Sequence, residues 1–207
     1  MIHKTCQERH NEIGDVCPGR PICLEEKYFM EWEFEILDFL QSIHSPVLTS
    51  LMSFITFLGE AGWFWILLGF LLLCMRKYRP VGAAVLTALI FDFIAANLIL
   101  KPLVARPRPC WINDSIEMLV RVPQDYSFPS GHTMASFAAA GALLFMGKRM
   151  GILAVLLAAL MGISRLYFYV HFPTDVLAGA IFGLACGWLG ALLVKKFQAA
   201  GTRKDYL

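Results

Sequence analysis

Charge is scarce in this sequence. Only 16% of the 207 residues are Asp, Glu, Lys or Arg, where a soluble domain usually carries about a quarter. That shortage argues against a water-soluble globule. A strong excess of one sign is missing as well. The net charge of +2 is too small to attract a polyanion, so no nucleic-acid partner is expected. Cysteine is thinly spread: Cys6, Cys17 and Cys23 lie in a polar N-terminal stretch, Cys74 and Cys186 in apolar runs, and Cys110 in a loop. Their spacing matches neither a zinc site nor a disulfide framework, so unpaired thiols are expected and no metal. No cleavable leader is visible, because the first apolar run follows a long polar tail.

What the sequence does have is oil, in blocks. Hydrophobic residues make up 57% of the chain, and their clustering places it in a membrane bilayer. An all-α, polytopic fold with six transmembrane helices is expected, over about 39–58, 63–75, 81–100, 133–146, 152–167 and 175–194. Pro46 should kink the first span. Residues 1–28 read as a polar tail, 29–197 as one membrane domain and 198–207 as a second polar tail. In "FMEWEFEILDFLQSI" the apolar residues recur at helical spacing around Glu31, Glu35 and Asp38. That pattern suits an N-terminal amphipathic helix at the membrane surface. Basic clusters at 76–79, 148–149 and 195–204 fall on one side of six spans. By the positive-inside rule that side is the cytoplasm, which makes both termini cytoplasmic and turns the 102–129 and 164–175 loops outward.

Three polar stretches then meet at the outer edge. "KPLVARPRP" carries Lys101 and Arg108, "SFPSGHT" opens the fourth span with Ser130, Gly131 and His132, and "SRLYFYVHFPTD" holds Arg165, His171 and Asp175. Ser130 is a good N-cap, and Gly131 lets the backbone come close to a ligand. The first amides of that span carry the positive end of the helix dipole, which is an anion site. Lys101, Arg108 and Arg165 add fixed positive charge, and the arginine fork suits phosphate oxygens. His171 and Asp175 are four apart, a spacing that lets the carboxylate orient the imidazole and leave its other nitrogen free to attack. His132 supplies the second imidazole that a two-step transfer needs, as acid and then base. Asp92, at about 2.5–3.5 kcal/mol for a charge inside a span, should face the bundle interior. Asn97 should support Lys101 from one turn away. Asn113-Asp114-Ser115 matches a glycosylation acceptor, a short motif that arises easily by chance.

These stretches resemble the signature of the type 2 phosphatidic-acid phosphatase family, which shares its site with vanadium haloperoxidases and glucose-6-phosphatase. The family pattern is a lysine, six residues and Arg-Pro; a Pro-Ser-Gly-His; and a Ser-Arg, five residues, His, three residues and Asp. Lys101 to Arg108-Pro109, Pro129-Ser130-Gly131-His132, and Ser164-Arg165 to His171 to Asp175 reproduce all three in order. The resemblance implies that His171 is the nucleophile and forms a phosphohistidine. It implies that Asp175 orients His171, that His132 protonates the leaving group, and that Lys101, Arg108, Ser130, Gly131 and Arg165 cradle the phosphate. No cofactor and no metal are implied. The expected substrate is a lipid phosphate or diphosphate such as undecaprenyl diphosphate, phosphatidylglycerophosphate or phosphatidic acid. A phosphotransferase with another acceptor in place of water would use the same residues. A transporter or lipid-binding protein would instead need charges along a path through the bilayer, where only Asp92 lies deep.

Overall fold

The computed structural model describes residues 24–113, 115–147 and 149–204. The tail with Cys6, Cys17 and Cys23 lies outside the described residues, as do Asp114 of the acceptor motif and Lys148 of a basic cluster. Helices build the fold, with no strand among the described residues. They are α1 (Leu24–Ser42), α2 (Pro46–Gly59), α3 (Trp63–Cys74), α4 (Arg79–Phe93), α5 (Gly131–Phe145), α6 (Met150–Tyr167) and α7 (Pro173–Lys204). Four stretches are long and apolar enough to cross a membrane: Pro46–Cys74, Arg76–Ile112, Met150–Tyr167 and Pro173–Ala200. Gly131–Phe145 is a shorter apolar helix whose residues are largely buried. Ile152, Leu153, Leu156, Leu177 and Ile181 are exposed on the outside of α6 and α7. In a multi-pass membrane protein these side chains face lipid, so their exposure carries no penalty.

The expected first span is two helices rather than one kinked helix. Ser45 accepts a hydrogen bond from Leu48 N, and Pro46 occupies the start of α2. A capping serine followed by proline starts a new helix more readily than it bends an old one. Both halves lie at one edge of the bundle. Gln41 Nε2 donates to Tyr167 O at 3.1 Å, and His44 Nε2 lies 3.1 Å from the same oxygen. Tyr169 OH donates to Asp38. At the other end of α2, a Cβ on Gly59 would stand 3.0 Å from His132 Cδ2. Ala61 and Gly62 then adopt positive φ values of 50° and 67°, which redirects the chain into α3.

Close helix contact positions the site. A Cβ on Gly183 would lie 2.4 Å from Met134 O, and one on Gly187 would lie 2.6 Å from Ala138 O. Helices α5 and α7 therefore run parallel and touch backbone to backbone, as small residues four apart allow. Their first turns meet, and Ser130 N donates to Asp175 O at 3.1 Å. Helix α4 extends further than the sequence suggests. Lys101 N–H reaches back five residues to Ala96 O in a π-helical stretch, Ile94–Leu100. That wider turn accommodates the Pro102 ring, so the helix continues over Lys101–Val104 and ends where Ala105 takes φ 47°. Asp92 is buried as expected, with its Oδ1 lacking a hydrogen-bond partner. At the far end of the bundle Lys195 Nζ donates to Phe145 O, and Arg79 shares a groove with Val194 and Phe197.

Candidate active site

All three motif stretches arrive at one edge, as their order along the chain requires. Lys101 stands at the end of the π-helical stretch, where Asn97 Oδ1 accepts from its Nζ at 3.2 Å. Asn97 supports the lysine as the sequence suggests. The same Nζ would be 3.6 Å from a Cβ on Gly131, ordinary van der Waals contact, so the lysine lies over the start of α5. Arg108 is 3% exposed and is held on every side. Its Nε donates to Asp125 O at 2.7 Å, its Nη1 to Val170 O at 2.7 Å, and its Nη2 to Asp125 Oδ1 at 2.7 Å. Nη1 also lies 3.0 Å from His171 Nε2. A guanidinium only donates, so Nε2 offers its lone pair and the neutral ring carries its proton on Nδ1.

The His171–Asp175 pair differs from the expected direct hydrogen bond. Nδ1 and Asp175 Oδ2 are 3.8 Å apart, beyond hydrogen-bond length. Asp175 Oδ2 accepts from Ser127 Oγ at 2.5 Å and from Phe172 N at 2.9 Å, and Ser127 Oγ lies 3.5 Å from Nδ1. Asp175 thus fixes the loop that carries His171 as much as it touches the ring. Burial, and then the charge of Arg108, hold the pKa of His171 well below the usual histidine value against the pull of Asp175. The ring is neutral at physiological pH, which is the nucleophilic form.

Ser130 marks the start of α5, but its hydroxyl does not cap the helix. It pairs with Thr133 Oγ1 at 2.9 Å, and among the described residues no side chain caps the first amides. Those N–H groups keep the positive end of α5 available to an anion. His132 lies within electrostatic reach of Arg165, His171, Arg108 and Lys101. Arg165 is 5% exposed. Its Nη1 donates to Thr56 Oγ1 at 2.6 Å, while its Nε has no acceptor. A buried donor left in that state costs about 1–3 kcal/mol until an acceptor arrives.

Several members of the site carry no family-motif signal. Asp125 bridges Lys101 and Arg108. Burial works to raise its pKa, but the hydrogen bonds and charges of those two cations prevail and bring it to about 2. It therefore stays ionised between the cations. Ser127, Arg106, Thr174 and the wholly buried Glu33 surround Asp175. Ser127 immediately precedes the "FPSGH" run, and Arg106 repeats the Arg-Pro pair at Arg108. Glu33 lies between the exposed Glu31 and Glu35, so nothing in the pattern marks it as an acid that turns inward. Asn113 spends its side chain on Ser115 and Tyr169 OH. Among the described residues no His, Cys, Asp or Glu side chains group to hold a metal ion. The positive charge at the site comes from Lys101, Arg108, Arg165 and helix amides.

Fold and site together define a multi-pass helical membrane protein with a cluster of buried cationic side chains around His171 at one edge. The chain belongs to the PAP2 superfamily, whose family model matches residues 77–199, and it is a phosphatase. All eight residues expected from the sequence lie in that stretch. The undecaprenyl-diphosphatase of Sulfolobus acidocaldarius is 33% identical over 149 residues, covering 72% of this chain and 70% of that protein. A lipid A 4'-phosphatase of Bacteroides thetaiotaomicron is 30% identical over 185 residues, covering 84% and 81%. The solved structure of a transmembrane PAP2-type phosphatidylglycerolphosphate phosphatase from Bacillus subtilis superposes with a TM-score of 0.64 at 30% identity. That match covers 84% of this chain and 87% of the other.

Proposed function

We propose that this membrane phosphatase removes the terminal phosphate of a lipid phosphate or diphosphate through a phosphohistidine on His171. The observation that carries this reading is the buried His171 ring, with its Nε2 set 3.0 Å from Arg108 Nη1. There the attacking nitrogen and the charge-stabilising guanidinium can engage one phosphoryl group. Nε2 bonds to phosphorus as the bond to the leaving oxygen breaks, and His132 gives that oxygen its proton. His132 then takes a proton from water, the water oxygen bonds to phosphorus, the P–N bond breaks and phosphate departs. Lys101, Arg108, Arg165 and the amides around Ser130 and Gly131 bind the phosphoryl oxygens, with the unsatisfied Arg165 Nε donating to one of them. Asp175 holds the His171 loop. Residues 29–197 form the catalytic unit.

The relatives act on an undecaprenyl diphosphate, a lipid A phosphate and a phosphatidylglycerolphosphate, as their names state. These substrates, with phosphatidic acid, are the panel to test. Purified protein in detergent should release phosphate from at least one of them with excess EDTA present, and the ranking of kcat/KM names the lipid class. Release that EDTA abolishes would sink the metal-free reading.

The membrane orientation follows from charge. The basic end with Arg76, Lys77, Arg79, Lys195 and Lys196 faces the cytoplasm, and the site faces outward. Helix α1 lies on the site's edge with Trp32, Ile36 and Phe39 exposed along one stripe that Ile43 continues just past its end, a pattern that suits a helix resting in the outer interface. The chain then crosses five times: Pro46–Cys74 as one interrupted crossing, followed by α4, α5, α6 and α7. This differs from the six spans and cytoplasmic N-terminus that hydropathy suggests. With the six native cysteines replaced by serine, an impermeant maleimide applied from outside should label Glu31→Cys in intact cells and Lys196→Cys only after permeabilisation. The reverse pattern for Glu31→Cys would restore the six-span topology.

A further inference from the structure

Asp175 has two oxygens, and only Oδ2 faces His171. Oδ1 accepts from Arg106 Nη1 at 2.7 Å. The same nitrogen donates to Thr174 Oγ1 at 2.7 Å, and Arg106 Nη2 donates to Glu33 Oε2. The Arg106 guanidinium lies over the Phe172 ring, 4.1 Å from its centroid. Glu33 Oε1 accepts from Thr174 N at 3.2 Å and from Thr174 Oγ1 at 2.6 Å. Glu33 is wholly buried. A carboxylate is left in such a place only when its charge and lone pairs are satisfied, and here Arg106 and Thr174 do so. Glu33 also comes from α1, outside the stretch that matches the family model.

This network differs from the phosphate cradle. Arg106 spends both terminal nitrogens on carboxylates and a hydroxyl, so it has no free fork for a phosphoryl group. Its charge is matched by Glu33 and Asp175. What it does is fix the first turn of α7, and with it the Phe172 amide and the Asp175 carboxylate that hold the His171 loop. We propose that Arg106 and Glu33 are positioning residues for phosphoryl transfer, and that Glu33 makes helix α1 a working part of the catalytic centre. The inference rests on the reading of His171 as the nucleophile.

Three variants test it: Glu33→Gln, Arg106→Gln and Arg106→Lys, the last of which retains the buried cation. Each is measured for kcat, KM and inhibition by inorganic phosphate. The His171 tautomer is followed by 15N NMR of histidine-labelled protein in detergent, with the His171 signal assigned by its loss in His171→Ala. Misplacing a nucleophile by a fraction of an ångström should lower kcat by about 30- to 100-fold in Glu33→Gln and Arg106→Gln, with KM changed by less than about threefold. Phosphate inhibition should be unchanged, and the His171 ring should pass from a single Nδ1-protonated form to a mixture. Arg106→Lys should fall between these and the wild type. Because the two residues act in series, the double Gln variant should lose little more than the worse single one. A matched rise in KM and in the phosphate inhibition constant would place Arg106 in the cradle and overturn the proposal. Unchanged kcat with an unchanged tautomer would overturn it too. If inorganic phosphate leaves the wild-type His171 signal unmoved, the nucleophile reading fails, while the tautomer comparison still decides the positioning role.

Discussion

Replacing His171 by alanine abolishes turnover, with kcat falling by about 10⁴-fold or more while substrate still binds. The loss is large because, among the described residues, His171 supplies the one imidazole nitrogen within hydrogen-bond distance of Arg108. The cradle of Lys101, Arg108, Arg165 and the α5 amides stays in place, so KM should change little. His132→Ala should behave differently. Its role as acid matters less when the leaving group is already acidic, so an aryl phosphate should recover much of the first step in that variant. No leaving group should rescue His171→Ala. The first-turnover release of the leaving group from an aryl phosphate and from a lipid phosphate, taken side by side, separates the two histidines, because hydrolysis of the intermediate still needs His132 as base. Equal losses on both substrates in both variants would deny them distinct roles.

Arg108→Lys is expected to lose about 10²- to 10³-fold in kcat, the usual cost of removing a preorganised donor to a developing charge. The swap keeps the charge and loses the fork. Arg108 reaches Val170 O, His171 Nε2 and Asp125 with three different nitrogens, and a lysine ammonium on a flexible stem cannot span that set. Two consequences should appear together: weaker stabilisation of the transferring group, and a looser 123–127 loop, because Asp125 loses its main anchor. Hydrogen exchange of that loop, measured beside kcat, checks both. A lysine variant with near-wild-type kcat would mean that charge alone suffices there.

Much of the site was legible in the sequence, because each motif sits at the end of an apolar block. Lys101, the Ser130–His132 run and Asp175 are all placed where a helix begins or ends. The rest depended on contacts between distant parts of the chain. Glu33 and Thr174 are 141 residues apart, and nothing in α1 distinguishes Glu33 from its exposed neighbours. The break between α1 and α2 had a local signal, Ser45-Pro46, but hydropathy reads through it as one apolar run. The passage of helix across Pro102 had none, since it needs a π-helical stretch that no residue announces. Ser127 and Asp125 fall in a loop whose course is set by Arg106 and Arg108: Ser127 N donates to Arg106 O at 2.8 Å. Their roles follow from that path.

The most direct measurement is chemical capture of the intermediate. Purified protein would be mixed briefly with a lipid labelled by ³²P on its terminal phosphate and quenched in alkali, where a phosphohistidine survives and most phosphate esters of serine do not. The account predicts label in the tryptic peptide 166–195, lost on mild acid treatment and absent from His171→Ala. Label that persists in His171→Ala, or rapid phosphate release with no covalent label in the wild type, would contradict it.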